Sequence, residues 1–130
     1  MSQKIVLMSS PEYFKVEYSI NPWMVPGTNV DLELAKDQWN GLKRTIEEAG
    51  AEVKVVPPSE NHPDLVFTAN SGIIRGNDVL IANFKFEERR GEEEIYIKWF
   101  KENEYNVSRI PPDYKFEGRG DAFVYGDYLV

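Results

Sequence analysis

An α/β fold built from a recurring helix–strand–hairpin unit is what the sequence predicts, and three features predict it. One is an amphipathic helical stripe closed by glycine, another is a set of β-branched segments stopped by Pro-Pro, and the third is the return of the same order in the second half. The stripe consists of Leu32, Ala35, Trp39, Leu42, Ile46 and Ala49, in steps of three and four. Asp31 is placed to cap the start of this helix and Gly50 to end it. Ala51–Val56 then reads as a buried strand stopped by Pro57-Pro58. Asp64–Asn70 reads as a second strand. Ile73-Ile74 and Val79-Leu80-Ile81 flank Gly76-Asn77-Asp78, residue types that accept the positive φ of a tight hairpin. In the acid-rich run Glu87–Glu104, Ile95 with Trp99 and Tyr96 with Phe100 sit at i,i+4, which predicts a second amphipathic helix whose charges read as a solvated face.

The recurrence is visible residue by residue. Val53-Lys54-Val55-Val56-Pro57-Pro58 aligns with Val107-Ser108-Arg109-Ile110-Pro111-Pro112, and Leu42 and Ile46 align with Tyr96 and Phe100. After a shorter loop, Phe67, Ile74, Asp78, Leu80 and Ile81 align with Phe116, Phe123, Asp127, Leu129 and Val130. A repeat of about fifty residues follows, with units near 28–82 and 84–130 inside one domain, 1–130. One helix and a few strands cannot bury their own apolar faces, so such units stack on neighbours, often in a ring. Leu129-Val130 falls within a hairpin strand, which predicts an apolar edge that expects either a further segment of the same protein or a partner, a second copy or another chain, to complete it.

Composition narrows the function. With 130 residues, 42% hydrophobic and 28% charged, the chain has room for one packed core. Its 15 Lys+Arg against 22 Asp+Glu give a formal net charge of −7, which argues against nucleic acid and anionic membrane and for cationic ligands. There is no cysteine, so this chain carries no disulfide, thiolate metal site or cysteine nucleophile. Met1-Ser2-Gln3-Lys4 leads directly into Ile5-Val6-Leu7-Met8 without a leader-length apolar core, and no segment has the length of a spanning helix, so a cytoplasmic location is expected.

Three polar clusters are candidates for chemistry. Asp64 and Asn70 bracket Phe67 and Thr68; on one face of a strand they would present a carboxylate and an amide to a cationic ligand, or else simply cap turns. In Phe116-Glu117-Gly118-Arg119-Gly120-Asp121 two glycines permit close backbone approach between two carboxylates, although the same pattern suits an ordinary hairpin. Glu87-Glu88-Arg89-Arg90-Gly91-Glu92 suits a surface helix start or an arginine turned inward to grip a ligand carboxylate, and spacing alone leaves both open. His62, the sole histidine, lies between Asn61 and Pro63 with no metal-like spacing around it, and reads as loop surface. Trp23, Trp39 and Trp99 read as core or interface aromatics, and Asn21-Pro22-Trp23-Met24 as a loop able to fold over a site.

Taken in order, Leu7–Pro11, Asn21–Met24, Asp64–Asn70, Glu88–Glu92 and Phe116–Asp121 resemble the amidinotransferase/arginine deiminase superfamily, and within it the branch of dimethylarginine dimethylaminohydrolases and arginine dihydrolases. The resemblance implies a pentein, a five-bladed α/β propeller of ββαβ units, of which this chain would form about two and a half blades. It also implies a guanidino substrate such as arginine or a methylarginine, attacked by a cysteine with a histidine shuttling protons. In the family both lie in the half beyond these residues. By the match, Glu117 orients that histidine and polarises the substrate, and Asn70 contacts the guanidinium. Asp64 binds the cationic end beside Phe67, Arg89 the carboxylate, Asn21 lines the lid and Asp121 braces the glycine turn. Asn70 departs from the aspartate of many relatives and resembles the dihydrolase-like branch. No cofactor or metal is implied. The expected partners are a guanidino small molecule and either a second copy or a chain supplying histidine and cysteine. The alternative is a non-catalytic guanidino-binding module that dimerises through its open edge.

Overall fold

The structure is a computed structural model that describes residues 3–130; Met1 and Ser2, read above as the start of a segment without a leader, lie outside them. The chain forms two compact units that divide between Thr68 and Ala69.

In the first unit, strand β1 (Ile5–Ser9) leads through a long loop to helix α1 (Leu32–Glu48) and then to strand β2 (Glu52–Val56). β1 and β2 pair in parallel from Ile5 opposite Glu52 to Ser9 opposite Val56. The helix has the ends its sequence predicts. The Asp31 carboxylate accepts the Leu34 amide at 3.0 Å. At the other end Gly50 takes φ +92°, its amide donates to Glu47 and that of Ala51 to Ile46, which is a Schellman closure. The expected stripe is there, but no residue of α1 is fully buried and Leu42 is exposed. Trp23 is also exposed rather than a core aromatic, while Trp39 is half-buried.

The strand expected over Asp64–Asn70 does not form. Pro63–Val66 and Thr68–Asn70 are two short 3-10 turns, so alternation by twos does not decide which way Asp64 and Asn70 point. The physical reason lies at both ends of the first turn. Pro63 presets helical φ at its opening position, and Phe67 closes it by donating its amide to the Asp64 carbonyl. The Thr68 hydroxyl then donates to the Leu7 carbonyl at 2.9 Å, pinning the segment to β1 by a side chain rather than by a strand ladder.

The second unit is a hairpin, a crossover helix and a third strand. β3 (Gly72–Arg75) and β4 (Asp78–Ile81) are antiparallel, with Gly76 at φ +58° in the turn. Helix α2 (Glu87–Glu102) packs on β4 and β5 (Asn106–Arg109), and β5 lies parallel to β4, giving the order β3-β4-β5. α2 stops two residues before the expected Glu104, which sits in the left-handed region at φ 65° and so cannot continue the helix. Then come a 3-10 turn over Gly118–Gly120 and the hairpin of β6 (Val124–Tyr125) and β7 (Tyr128–Leu129), extended by reciprocal bonds between Phe123 and Val130. Gly126 at φ +57° repeats the turn geometry of Gly76. Helix, strand, 3-10 turn and hairpin thus recur in the same order. The core of this unit gathers Val79, Ile81, Phe84, Tyr96, Ile97, Phe100 and Phe116.

The charge run on α2 is not wholly a solvated face. Arg89 and Glu92 are buried along with Tyr96, Ile97 and Phe100, because i, i+3 and i+7 steps from Arg89 follow the inward side of the helix.

Candidate functional site

Glu117 is held at its amide, its carbonyl and its carboxylate. It precedes the Gly118–Gly120 turn, whose motif reads as a plain hairpin as easily as a site; the structure makes it a 3-10 turn joined to Asn83 by the paired backbone bonds of Phe116. Three contacts fix Glu117. Its amide donates to the Asp121 carboxylate at 2.7 Å, its carbonyl accepts the Asn70 side-chain amide at 3.1 Å, and its own carboxylate accepts the Lys85 amide at 3.3 Å. Gly118 makes this possible: at φ +60°, a Cβ there would lie 2.6 Å from the Ala69 carbonyl oxygen and 2.9 Å from the Gly72 amide nitrogen.

Asn70 stands between Glu117 and helix α2. Its side-chain oxygen accepts from Arg89 Nη1 at 2.9 Å. Arg89 is itself held by Glu92, Nε and Nη2 each lying 2.8 Å from a carboxylate oxygen, and its guanidinium rests over the Phe84 ring at 4.5 Å. Arg90 is the exposed arginine of the pair and donates to the Phe84 and Lys85 carbonyls, steadying the loop whose amide reaches Glu117. The Glu93 carboxylate accepts the Phe84 amide at 2.9 Å from the same helix. Burial, then the neighbouring Glu92 carboxylate, push the Tyr96 hydroxyl far above the usual tyrosine range, with Arg89 opposing in part, so Tyr96 stays neutral.

In the first unit Asp64 is buried and accepts the Tyr18 hydroxyl at 2.7 Å. Phe67 is partly exposed and packs edge-on against Phe14. Asn21 is exposed, and its side-chain oxygen accepts the Trp23 and Met24 amides, so it shapes its own loop. The His62 ring bonds Ser59 at 2.8 Å, and partial burial lowers its pKa.

The structure therefore gathers Asn70, Arg89, Glu117 and Asp121 of the expected set into one network. Arg90 and Glu92, from the cluster singled out in the sequence, complete it together with Glu93 and the Lys85 amide, which no sequence motif marks; the i,i+3 spacing of Arg89 and Glu92 is the readable signal for their pairing. No group of three His, Cys, Asp or Glu suited to a metal occurs among the described residues. A shallow groove of about 210 Å³, lined by Ile73, Val79, Leu80, Val124, Tyr128 and Leu129 among others, shares no residue with this network.

The second unit thus places a carboxylate beside a glycine turn, next to an amide and an inward arginine, on an α/β framework that comparison with known proteins assigns to a family. The family model "N,N dimethylarginine dimethylhydrolase, eukaryotic" matches residues 21–130. The chain belongs to this family, and with it to the N-terminal half of the amidinotransferase/arginine deiminase superfamily fold. The uncharacterized protein ZK1307.1 of Caenorhabditis elegans is 46% identical over 126 residues, covering 95% of this chain and 43% of that protein. The N(G),N(G)-dimethylarginine dimethylaminohydrolase of Mycobacterium tuberculosis is 36% identical over 123 residues, covering 95% of this chain and 40% of the enzyme. Among solved structures, the substrate-bound N-terminal domain of ArgZ, a cyanobacterial arginine dihydrolase, superposes with a TM-score of 0.88 at 42% identity, covering 96% of this chain and 47% of that one. The chain thus spans less than half the length of these relatives. No helix among the described residues is long and apolar enough to cross a membrane.

Proposed function

We propose that these 130 residues are the substrate-binding portion of a hydrolase acting on guanidino compounds such as arginine or methylarginines, with the nucleophile and its histidine supplied from polypeptide outside them. The observation that carries this reading is the Glu117 carboxylate, which accepts the Lys85 amide at 3.3 Å and stands on main chain that Asp121 and Asn70 hold at its amide and carbonyl. A guanidinium is planar and donates from every nitrogen, so a preorganised carboxylate is its natural counterpart and retains its value as charge develops in the reaction. Glu117 is the proposed catalytic group, polarising the guanidinium and orienting the incoming histidine. Asn70 and Asp121 are proposed as its binding neighbours, and Asp64, Phe67 and Asn21 as ligand contacts of the first unit. Arg89, gripped by Glu92 and bonded to Asn70, is proposed as the residue nearest a ligand carboxylate. In the same proposal the chain is an incomplete pentein propeller acting in the cytoplasm, completed by a second chain or a second copy.

The chain has no cysteine, so alone it supplies binding without covalent catalysis. The expected outcome is that arginine shifts the amide signals of Asn70 and the Glu117 turn in an NMR titration, and that no ammonia, citrulline or ornithine is released. Adding polypeptide that bears the family's histidine and cysteine should start turnover, with Glu117→Gln costing more than Asp64→Asn. Turnover by the purified chain alone, surviving removal of His62, would overturn the proposal.

A further inference from the structure

Glu92 is completely buried on α2, and the function proposed above gives it no task. We propose that Glu92 is a positioning residue which, through Arg89, fixes the orientation of the Asn70 amide and so the carbonyl of Glu117. A side-chain amide can present its oxygen or its nitrogen to a given neighbour, and here both neighbours permit one choice only. Arg89 Nη1 carries donors alone, so the Asn70 oxygen must face it; the Glu117 carbonyl only accepts, so the Asn70 nitrogen must face that side. A flip would set donor against donor and acceptor against acceptor.

Arg89 can impose this choice only if it is itself held still. The carboxylate of Glu92 takes Nε and Nη2 together at 2.8 Å each, a two-point grip that fixes the plane of the guanidinium, while the Phe84 ring closes one face of it. The i,i+3 relation builds the grip into one turn of helix. Buried ion pairs are often replaceable by apolar side chains without loss of stability, so a pair in this position is better explained by what it orients than by what it stabilises. That Asn70 needs a fixed orientation for a ligand rests on the proposed function; the orientation itself does not.

The test uses Arg89→Met/Glu92→Leu in the 130-residue chain, which removes both charges and keeps apolar volume, beside Glu92→Gln, which keeps one acceptor oxygen. The side-chain NH2 signals of Asn70 and their hydrogen exchange are followed by NMR, with melting temperature as the control for folding. The double variant should retain its melting temperature within a few degrees, while the Asn70 NH2 shifts and exchanges about tenfold faster or more, the equivalent of losing one charge-assisted hydrogen bond. Glu92→Gln should fall between parent and double variant. An unchanged Asn70 signal in the double variant overturns the proposal. So does faster exchange spread evenly through α2 and β4, because that is a merely structural role. Arginine titration of the parent is read separately: no ligand response with the expected Asn70 response sinks the proposed function and leaves the positioning role standing.

Discussion

Helix α1 starts on a side-chain cap, ends in a glycine closure and buries none of its residues, whereas α2 starts on Phe86 with no side-chain cap and buries Arg89, Glu92, Tyr96, Ile97 and Phe100. The first is specified at its ends by its neighbours in sequence. The second is specified along its length by what it packs against, including a pair of charges that a helical-wheel reading sends to solvent. Local signals say where a helix begins and stops; they do not say which of its charged residues has been recruited inward, because that depends on partners outside the helix, such as Asn70 and Phe84.

The largest effect that would test this contrast is expected from Glu92→Ala. It leaves the Arg89 charge buried without its two-point partner, and urea denaturation should show a loss of about 3–5 kcal/mol; a loss below one would mean that α2 is no more dependent on tertiary partners than α1. Gly118→Ala should come next, since it forces a side chain into positive φ against backbone atoms of Ala69 and Gly72, and should cost about 1–3 kcal/mol in the same measurement. On the α1 side, Asp31→Ala removes the cap on Leu34 and should cost about 1 kcal/mol, seen as fraying of the first turn by amide exchange.

The smallest expected effect concerns pH. Burial lowers the pKa of His62 in the folded chain below its ordinary 6.5. The unfolded chain therefore takes up the proton first, so the contribution is complete above pH 6.5 and is lost as pH falls from there through the folded pKa. Stability measured across that interval should decline slightly, and His62→Asn should flatten this part of the decline.

What the sequence made legible follows the same division. The stripe from Leu32, the caps at Asp31 and Gly50, and the Gly76 turn are short-range features, and each is where the residues place it. The repeat extended that reach to a second hairpin, although its turn glycine, Gly126, lies one residue beyond the position that the aligned register pairs with Gly76. Asp64–Asn70 escaped because Leu65-Val66-Phe67 is a continuous apolar run, which a strand and a pair of 3-10 turns satisfy equally; the deciding contacts, Tyr18 to Asp64 and Thr68 to Leu7, span 46 and 61 residues. Among candidate site residues, Glu117, Asp121 and Asn70 could be named because five motifs, each ordinary alone, stand in the order of one family. The Lys85 amide could not, since any residue but proline offers one.

The crowding beneath Gly118 also bears on how this turn can change over generations or at a designer's bench. Where a Cβ would point, the atoms met first are the Ala69 carbonyl oxygen and the Gly72 amide nitrogen and carbonyl oxygen, all main chain. Main chain cannot be trimmed by substitution, so no second-site change of side chain makes room. The Glu117 turn and the first residue of β3 behave as a mitred joint: making room for a side chain at position 118 means recutting both pieces.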